Sequence, residues 1–294
     1  MEKLIRVEQT LTIGHILSMV FGLAGLLVVL PNADFIAALP AVGQTAFAWS
    51  MAGGGVVYML LGTSAVAVYA YRTLGLWHCL GFMVPAIGLS LVSELLGTST
   101  GFPFGHYHYL SGLGYKIAGL VPFTIPLSWF YIGFSAYIIA RAGLATLAIP
   151  QVLKYIGAIG FGSLLLTSWD FVLDPAMSQT TVPFWVWEQP GAFFGMPYEN
   201  FAGWFGTGVV FMTVATFIWR LKPLTLPSKQ LGLPLAVYLG NFAFATITSL
   251  AAGIYIPIGL GLLLGILPLV ILYQMATTRP TSEAAPDRLE AEVM

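Results

Sequence analysis

Eight apolar stretches, each of about twenty residues, limit what this chain can fold into. They cover residues 11–30, 47–71, 76–96, 117–140, 152–168, 201–219, 231–252 and 254–275. A helix of about 20 apolar residues can cross the hydrocarbon core of a bilayer. Only 8% of the side chains are charged, whereas a soluble domain has roughly a quarter. We therefore predict an all-α, polytopic transmembrane bundle of about eight spans, or seven if the last two stretches form one span.

The basic residues predict the orientation of these helices, because short cytoplasmic loops collect Lys and Arg. With the N-terminus inside, eight spans leave both termini in the cytoplasm, and Lys116 is the one basic residue outside. The inner group is Lys3, Arg6, Arg72, Arg141, Lys154, Arg220, Lys222, Lys229, Arg279 and Arg288. The predicted outer side carries six carboxylates, namely Asp34, Glu94, Asp170, Asp174, Glu188 and Glu199.

Residues 1–276 form a single integral-membrane helical domain in this interpretation. No small-residue cleavage site follows the first apolar run, so we expect a retained helix rather than a signal peptide. Small-residue runs such as Gly53-Gly54-Gly55 are interpreted as helix-packing contacts. Residues 277–294 are polar and charged, and we expect them to form a disordered cytoplasmic tail.

Several classes of function are disfavoured by the composition. A net charge of −1 provides no basic surface for nucleic acid, and the single Cys79 cannot form an internal disulfide or a CxxC pair. Four histidines are too few for a di-iron histidine-box enzyme. A mononuclear site of His106, His108 and a carboxylate stays as an alternative, but our main interpretation has neither metal nor cofactor.

Glu94 and the segment after it form the first candidate site. A carboxylate on an otherwise apolar helix needs a partner, a wet cavity or a proton. His106 and His108 alternate with Tyr107 and Tyr109, so both histidines would point to one side of an extended backbone. The alternative is a hydrogen-bonded cap and interfacial histidines, with no catalytic role.

Asp170 and Asp174 form the second candidate site. They lie one helical turn apart on one face, and Pro175 predicts that the helix ends at Asp174. Two close carboxyls in a low-dielectric setting do not both ionise easily, so one is expected to hold a proton that it can donate. The alternative is an ordinary helix end with an Asp-Pro turn.

The third candidate site is the aromatic part of the predicted outer loops, 97–116 and 169–200. Segments around Trp187 and Tyr198 are too aromatic for a solvated coil, so we expect re-entrant or interfacial structure packed on the helices. Aromatic faces can stabilise a carbocation as they do a bound cation. The alternative is an interfacial aromatic belt.

Several segments between Glu94 and Trp204 carry a family resemblance. They are 93–98, 105–109, 113–116, 121–122, 125–129, 174–177 and 195–201, together with Asp170. In these segments the chain resembles the CruF-type carotenoid hydratases, which are integral membrane proteins. The resemblance implies cofactor-independent addition of water to the terminal C-1′,2′ double bond of an acyclic ψ-end, which gives a tertiary 1′-hydroxy group.

The resemblance also implies partners and a location. The substrate would be γ-carotene, lycopene or a similar ψ-end carotenoid, in contact with membrane lipid and with other enzymes of carotenoid synthesis. The membrane would be a bacterial cytoplasmic or thylakoid membrane. A membrane carotenoid cyclase of the lycopene type is the nearest alternative, since it also protonates an alkene. A transporter or binding protein for lipids or small molecules is the other.

The chemistry of hydration assigns roles to the candidate residues. Asp170 or Asp174 would be the general acid, and the neighbouring carboxyl group would modulate its pKa. Glu94 with His106 or His108 would orient the water and accept its proton. The pocket for substrate and cation would be formed by Tyr107, Tyr109, Trp129, Trp169, Trp187, Tyr198, Glu199 and Asn200.

Overall fold

The computed structural model describes residues 1–179, 183–189 and 191–278, and this part of the chain is mainly helical. The helices are α1 (Glu2–Ala24), α2 (Ala33–Ala37), α3 (Ala41–Thr100), α4 (Thr124–Ala145), α5 (Gln151–Met177), α6 (Tyr198–Trp219), α7 (Gly232–Ala251), α8 (Ile256–Gly261) and α9 (Leu267–Thr278). Single π-helical segments extend α1 (Gly25–Val29) and join α8 to α9 (Leu262–Ile266). Four short strands are β1 (Tyr107–Tyr109), β2 (Lys116–Ile117), β3 (Val121–Pro122) and β4 (Trp185–Trp187).

The 60-residue helix α3 consists of two antiparallel arms. Gly75 has φ 81° and ψ 167°, a backbone geometry that glycine adopts at low cost. The Cys79 thiol donates a hydrogen bond to the Ala67 carbonyl at 3.6 Å, although a straight helix would separate the two residues by about 18 Å. The chain therefore reverses at Gly75, and residues 41–74 and 76–100 are each long enough to cross a bilayer.

Seven described helices are long and apolar enough to span a membrane. Because α3 contributes two crossings, the described chain has the eight spans that the sequence predicts. The all-α polytopic fold is thus confirmed. Helix α4 lies at the centre, since its side chains are almost all buried, and α3, α5, α7 and α9 pack around it.

Basic side chains from several loops meet at one end of the bundle. Arg72 pairs with Glu8 on α1 at 2.7 Å and donates to Gln230 near α7, also at 2.7 Å. The Lys222 ammonium lies 4.4 Å from the centre of the Trp77 ring. These contacts join segments that the charge pattern assigns to a common, cytoplasmic side. The sidedness itself stays a prediction.

The opposite end is covered by the two long connections. Strands β1 and β4 pair antiparallel, with Tyr107 opposite Trp187 and Tyr109 opposite Trp185. Strands β2 and β3 form a second small ladder. The predicted outer loops are therefore folded over the helix ends, and one ladder joins them.

Two boundaries differ from the sequence-based expectations. Helix α5 does not end at Asp174 but continues through Pro175 to Met177, and the Ser178 amide still donates to the Asp174 carbonyl at 3.0 Å. Proline near a helix C-terminus costs little when the preceding turn is held by other contacts. Helix α9 runs through Thr278, and the rest of the predicted tail, 279–294, lies outside the described residues.

Candidate active site

A cavity of about 480 Å³ lies under the β1–β4 ladder. The carboxyl groups of Glu94, Asp170 and Asp174 all line it, although they come from two different helices. The three residues are 2–3% exposed. A buried carboxyl group is stable only with hydrogen-bond partners or a proton, so their partners define what the site can do.

Glu94 is held by three donors. Tyr107 and Tyr109 donate to its Oε2, the latter at 2.9 Å, and the Trp129 indole donates to Oε1 at 2.9 Å. Both tyrosines come from β1, where side chains alternate between the two faces, so that residues 107 and 109 point inward together. The site thus presents one carboxylate fixed in a frame of three hydrogen bonds.

The two tyrosines remain donors over a wide pH range. Burial raises the pKa of Tyr107 and Tyr109 well above the ordinary tyrosine value, and the adjacent Glu94 carboxylate acts in the same direction. A phenol with a raised pKa keeps its proton at neutral pH. The Glu94 carboxylate therefore keeps its hydroxyl partners.

Asp170 and Asp174 are bridged by one amide. The Asn200 side chain donates to Asp170 Oδ2 at 2.8 Å and to Asp174 Oδ2 at 3.0 Å. Helical spacing places both carboxyls on the face of α5 toward the cavity, and the first turn of α6 carries Asn200. The pair forms as the sequence predicts.

The two aspartates differ in their remaining partners. Asp174 Oδ1 accepts hydrogen bonds from the indoles of Trp185 at 2.7 Å and Trp187 at 3.1 Å. Asp170 Oδ1 accepts none from the described residues, and Asp170 lines the cavity. Asp170 therefore has an oxygen that is free for a ligand, whereas both oxygens of Asp174 are held.

Aromatic rings form the wall around the carboxyl groups. Trp204 stacks on Trp129 with ring centres 4.0 Å apart and meets Trp169 edge-on at 5.8 Å. On the other side of the cavity, the ring centres of Tyr107 and Trp187 are 5.1 Å apart. Trp169, Trp187 and Trp204 line the cavity directly, whereas Trp129 lies behind them as a partner of Glu94.

Four predicted site residues lie elsewhere. His106 and His108 are exposed because the tyrosines that alternate with them take the inner face of the strand. His108 contacts Glu188 at 3.1 Å at the surface. Tyr198 and Glu199 are exposed on the first turn of α6.

The positions of the two histidines do not support two arrangements that were expected from the sequence. The described structure shows no hydrogen bond from His106 or His108 to the Glu94 carboxylate. The predicted joint role of Glu94 with one of these histidines in orienting the water therefore has no contact to support it. Within residues 1–179, 183–189 and 191–278, no group of three or more His, Cys, Asp or Glu side chains could hold a metal ion. The alternative His106–His108 metal site thus has no third ligand among those residues.

The sequence also held signals that our site prediction did not use. Trp185 lies two residues before Trp187 in an extended segment, so both point to the same side. Trp204 follows Asn200 by four residues, which places it on the same helical face. Both line the cavity.

One arm of the cavity extends toward α1 and the first arm of α3. Its lining there is apolar or small and includes Phe21, Gly25, Trp49, Gly53 and Gly54. A Cβ built on Gly25 or Gly53 would have no neighbour within 4 Å. These glycines leave space instead of bringing helices together, as Gly53 and Gly54 were expected to do.

Two comparisons with known proteins relate this chain to others. The sequence profile of a family described as "Carotenoid biosynthesis protein" matches residues 54–268, well over half of the chain. The chain belongs to this carotenoid biosynthesis family. The resemblance drawn from the sequence is thereby confirmed, and the protein is an integral membrane member of the family.

A curated relative of this carotenoid biosynthesis protein is the bisanhydrobacterioruberin hydratase of Haloarcula japonica. The two are 32% identical over 134 residues, which is 45% of this chain and 43% of the relative. The matched segment thus spans less than half of that hydratase. No solved structure matches the chain.

The family match contains the polar site of this carotenoid biosynthesis protein. Glu94, Asp170, Asp174 and Asn200 all fall within residues 54–268. The α1 side of the cavity lies before residue 54 and outside the match. The polar centre is therefore located in the part that the family shares.

Proposed function

We propose that this protein adds water to the terminal carbon–carbon double bond of an acyclic carotenoid end and forms a tertiary 1′-alcohol. One observation carries the proposal most directly. A pair of buried carboxyls, bridged by Asn200, presents the free oxygen of Asp170 to an aromatic cavity. Protonation of an alkene requires an acid of this kind, held away from bulk water.

The first step is a proton transfer from the Asp170 carboxyl group to C-2′ of the substrate. The alkene electrons form the new C–H bond, and the positive charge develops at the tertiary carbon C-1′. Asp174 keeps its negative charge beside Asp170, because two indoles and Asn200 donate hydrogen bonds to it. The negative partner stabilises the developing cation.

The aromatic wall supports this cation. Trp169 and Trp204 line the cavity, and an aromatic ring attracts positive charge most strongly when water is excluded. A second group that supports the cation is the Glu94 carboxylate, which faces the same cavity. The site thus combines an acid, a cation-stabilising wall and a base.

The second step is attack of a water molecule on C-1′. Glu94 accepts the proton that the water loses, and Tyr107 and Tyr109 hold the carboxylate in place. The proton then returns to the Asp170 carboxylate through the site, so each turnover adds one H₂O. Glu94 thus acts without the two histidines, which lie on the outer face of the strand.

The shape of the cavity fits a long apolar substrate. The polar groups lie at one end, and the arm toward α1 and the first arm of α3 is lined by apolar and small residues. A polyene chain would occupy that arm while its ψ-end reaches Asp170. The name of the Haloarcula japonica relative, a hydratase, supports the same reaction type.

Expression in a lycopene-accumulating bacterial host tests the proposal. We expect a new, more polar carotenoid whose mass exceeds that of lycopene by one water molecule. An isomeric hydrocarbon would instead indicate the cyclase reaction, and unchanged pigment despite membrane expression would indicate a binding or transport protein. Either result would refute hydration of this substrate class.

A further inference from the structure

A second cavity, of about 390 Å³, lies at the basic end of the bundle. It is formed by the end of α4, the start of α5 and the end of α6 with the segment that follows. Its lining includes four cationic side chains, namely Arg141, Lys154, Arg220 and Lys222. No Asp or Glu of the described chain lines it, and Arg141, Arg220 and Lys222 make its field positive.

Arg141 distinguishes this cavity from a group of charges on exposed loops. It is only 8% exposed, although it carries a permanent charge. Its Nη1 donates to the Tyr137 hydroxyl at 2.8 Å, and its guanidinium lies 4.4 Å from the centre of the Tyr155 ring. Among the residues that the structure covers, no carboxylate is within ion-pair distance of Arg141. Within that part of the chain, this buried guanidinium therefore has no anionic partner.

The start of α5 adds to the positive field. Gln151 is the first residue of this 27-residue helix and lines the cavity, and no side chain caps the helix at Pro150. The unpaired amides at a helix N-terminus carry partial positive charge and bind anions readily. The cavity thus combines side-chain and backbone donors for a negatively charged group.

The surroundings favour a lipid over a free anion. Val152, Leu153 and Ile156 on α5 are all more than half exposed, as is Leu221 after α6. Exposed apolar side chains of a membrane bundle face acyl chains.

We propose that this cavity binds the phosphate headgroup of an anionic membrane lipid. The phosphate contacts Arg141 and the start of α5, Arg220 and Lys222 add charge at the rim, and the acyl chains lie along the exposed faces of α5 and α6. Basic pockets between helices on the cytoplasmic side bind anionic headgroups in this way. The site is separate from the carboxyl groups at the other end.

Lipid retention tests the site on the full-length protein. The protein is reconstituted in bilayers of phosphatidylcholine with or without phosphatidylglycerol, purified again, and analysed by lipid mass spectrometry and thermal unfolding. We expect selective retention of phosphatidylglycerol and a Tm higher by about 3 °C in its presence. Arg141→Gln should lose both effects. Lys3→Gln, which removes a charge on the same predicted side outside the cavity, should retain them.

Further experiments distinguish lipid binding from the alternative explanations. If Arg141→Gln does not fold, Lys222→Gln at the exposed rim should still reduce retention severalfold. Equal retention by wild type and both variants would overturn the proposal. An equal rise in Tm with inorganic phosphate in phosphatidylcholine bilayers would mean a free-anion site and also overturn it. A third result would also overturn it. If lipid selectivity arises only after the acidic residues Glu283, Asp287, Glu290 and Glu292 are changed to amides, the occupant of the cavity in the wild-type protein would be the chain's own tail and not a lipid.

Discussion

At the scale of single residues, hydrogen-bond partners distinguish three carboxyl groups that composition alone makes equivalent. Among the described residues, donors hold both oxygens of Glu94 and of Asp174, whereas one oxygen of Asp170 has no donor and Asp170 lines the cavity. A proton donor must reach the substrate. We therefore propose Asp170 as the acid, a choice between the two aspartates that the sequence left open.

Asp170→Asn is expected to abolish most of the activity. An amide of the same size keeps the contact surface but cannot donate a carboxyl proton, and general acid catalysis contributes about a hundredfold or more. Asp174→Asn should cause a smaller loss, because the acid remains. Product formation per amount of membrane-inserted protein measures both. Full activity of Asp170→Asn would contradict the assignment.

Glu94→Gln and His108→Gln form a matched pair. The glutamine amide at position 94 would turn a donor toward a phenol or an indole and would lose the base, so we expect a reduction of about a hundredfold. His108 lies on the outer face of β1, and its change to Gln should leave turnover within about twofold of wild type, as for most surface substitutions. The same pigment assay compares them. A large loss in His108→Gln together with normal turnover in Glu94→Gln would reverse our placement of the base.

At the scale of elements, regular periodicity made part of the site predictable. The spacing of Asp170 and Asp174 on one helix placed both carboxyls on a common face. The alternation of residues 106–109 was also recognised, but the hydrophobic pattern does not say which face of a strand turns inward. Pairing of β1 with β4 decides this, since it directs Tyr107 and Trp187 toward the cavity. The pairing joins residues about eighty positions apart and has no local signal.

The apolar arm of the cavity was the least predictable element. Its glycines have no polar signature, and helix packing is the usual role of small residues in membranes. In this bundle Gly55 does make a close contact, since an added Cβ would lie 2.6 Å from the Gly112 carbonyl oxygen. Gly53, two residues earlier, instead adjoins open space. Only the assembled helices distinguish these roles.

Gly53→Leu should narrow the arm and reduce conversion of a full-length carotenoid by about tenfold or more, since displacement of a substrate from its reactive position is costly. Gly160→Leu is the matched control. Its added Cβ also meets no atom within 4 Å, and Gly160 does not line the cavity. We expect the two variants to be expressed at comparable levels and Gly53→Leu to have the lower turnover. Equal turnover of the two variants would exclude this arm as the path of the polyene.

At the scale of the whole molecule, hydropathy and charge predicted the architecture well. Eight spans with basic residues at one end follow from the bilayer as solvent, which requires long apolar helices and short charged loops. The break at Gly75 shows the same agreement in detail, since the predicted loop between the second and third spans contains a single non-helical residue. The strand pairing over the site depends on long-range contacts, and the sequence predicted it only as re-entrant or interfacial structure packed on the helices.

Cysteine labelling tests the predicted orientation. His108→Cys and Thr225→Cys are exposed and lie at opposite ends of the bundle, and the native Cys79 is buried. In intact cells a membrane-impermeant thiol reagent should label position 108 and not position 225. Inside-out vesicles should give the reverse. The opposite pattern in both preparations would invert the topology and place the active site on the cytoplasmic side.

The origin of the product oxygen tests hydration most directly. Cells that convert an acyclic carotenoid are grown in water enriched in heavy oxygen under ordinary dioxygen, and in a parallel culture under heavy dioxygen in ordinary water. An acid-catalysed addition predicts that the 1′-hydroxyl carries the label from water and none from dioxygen. A hydroxyl labelled from dioxygen would contradict the account, because the carboxyl pair of Asp170 and Asp174 would then not be the source of the chemistry.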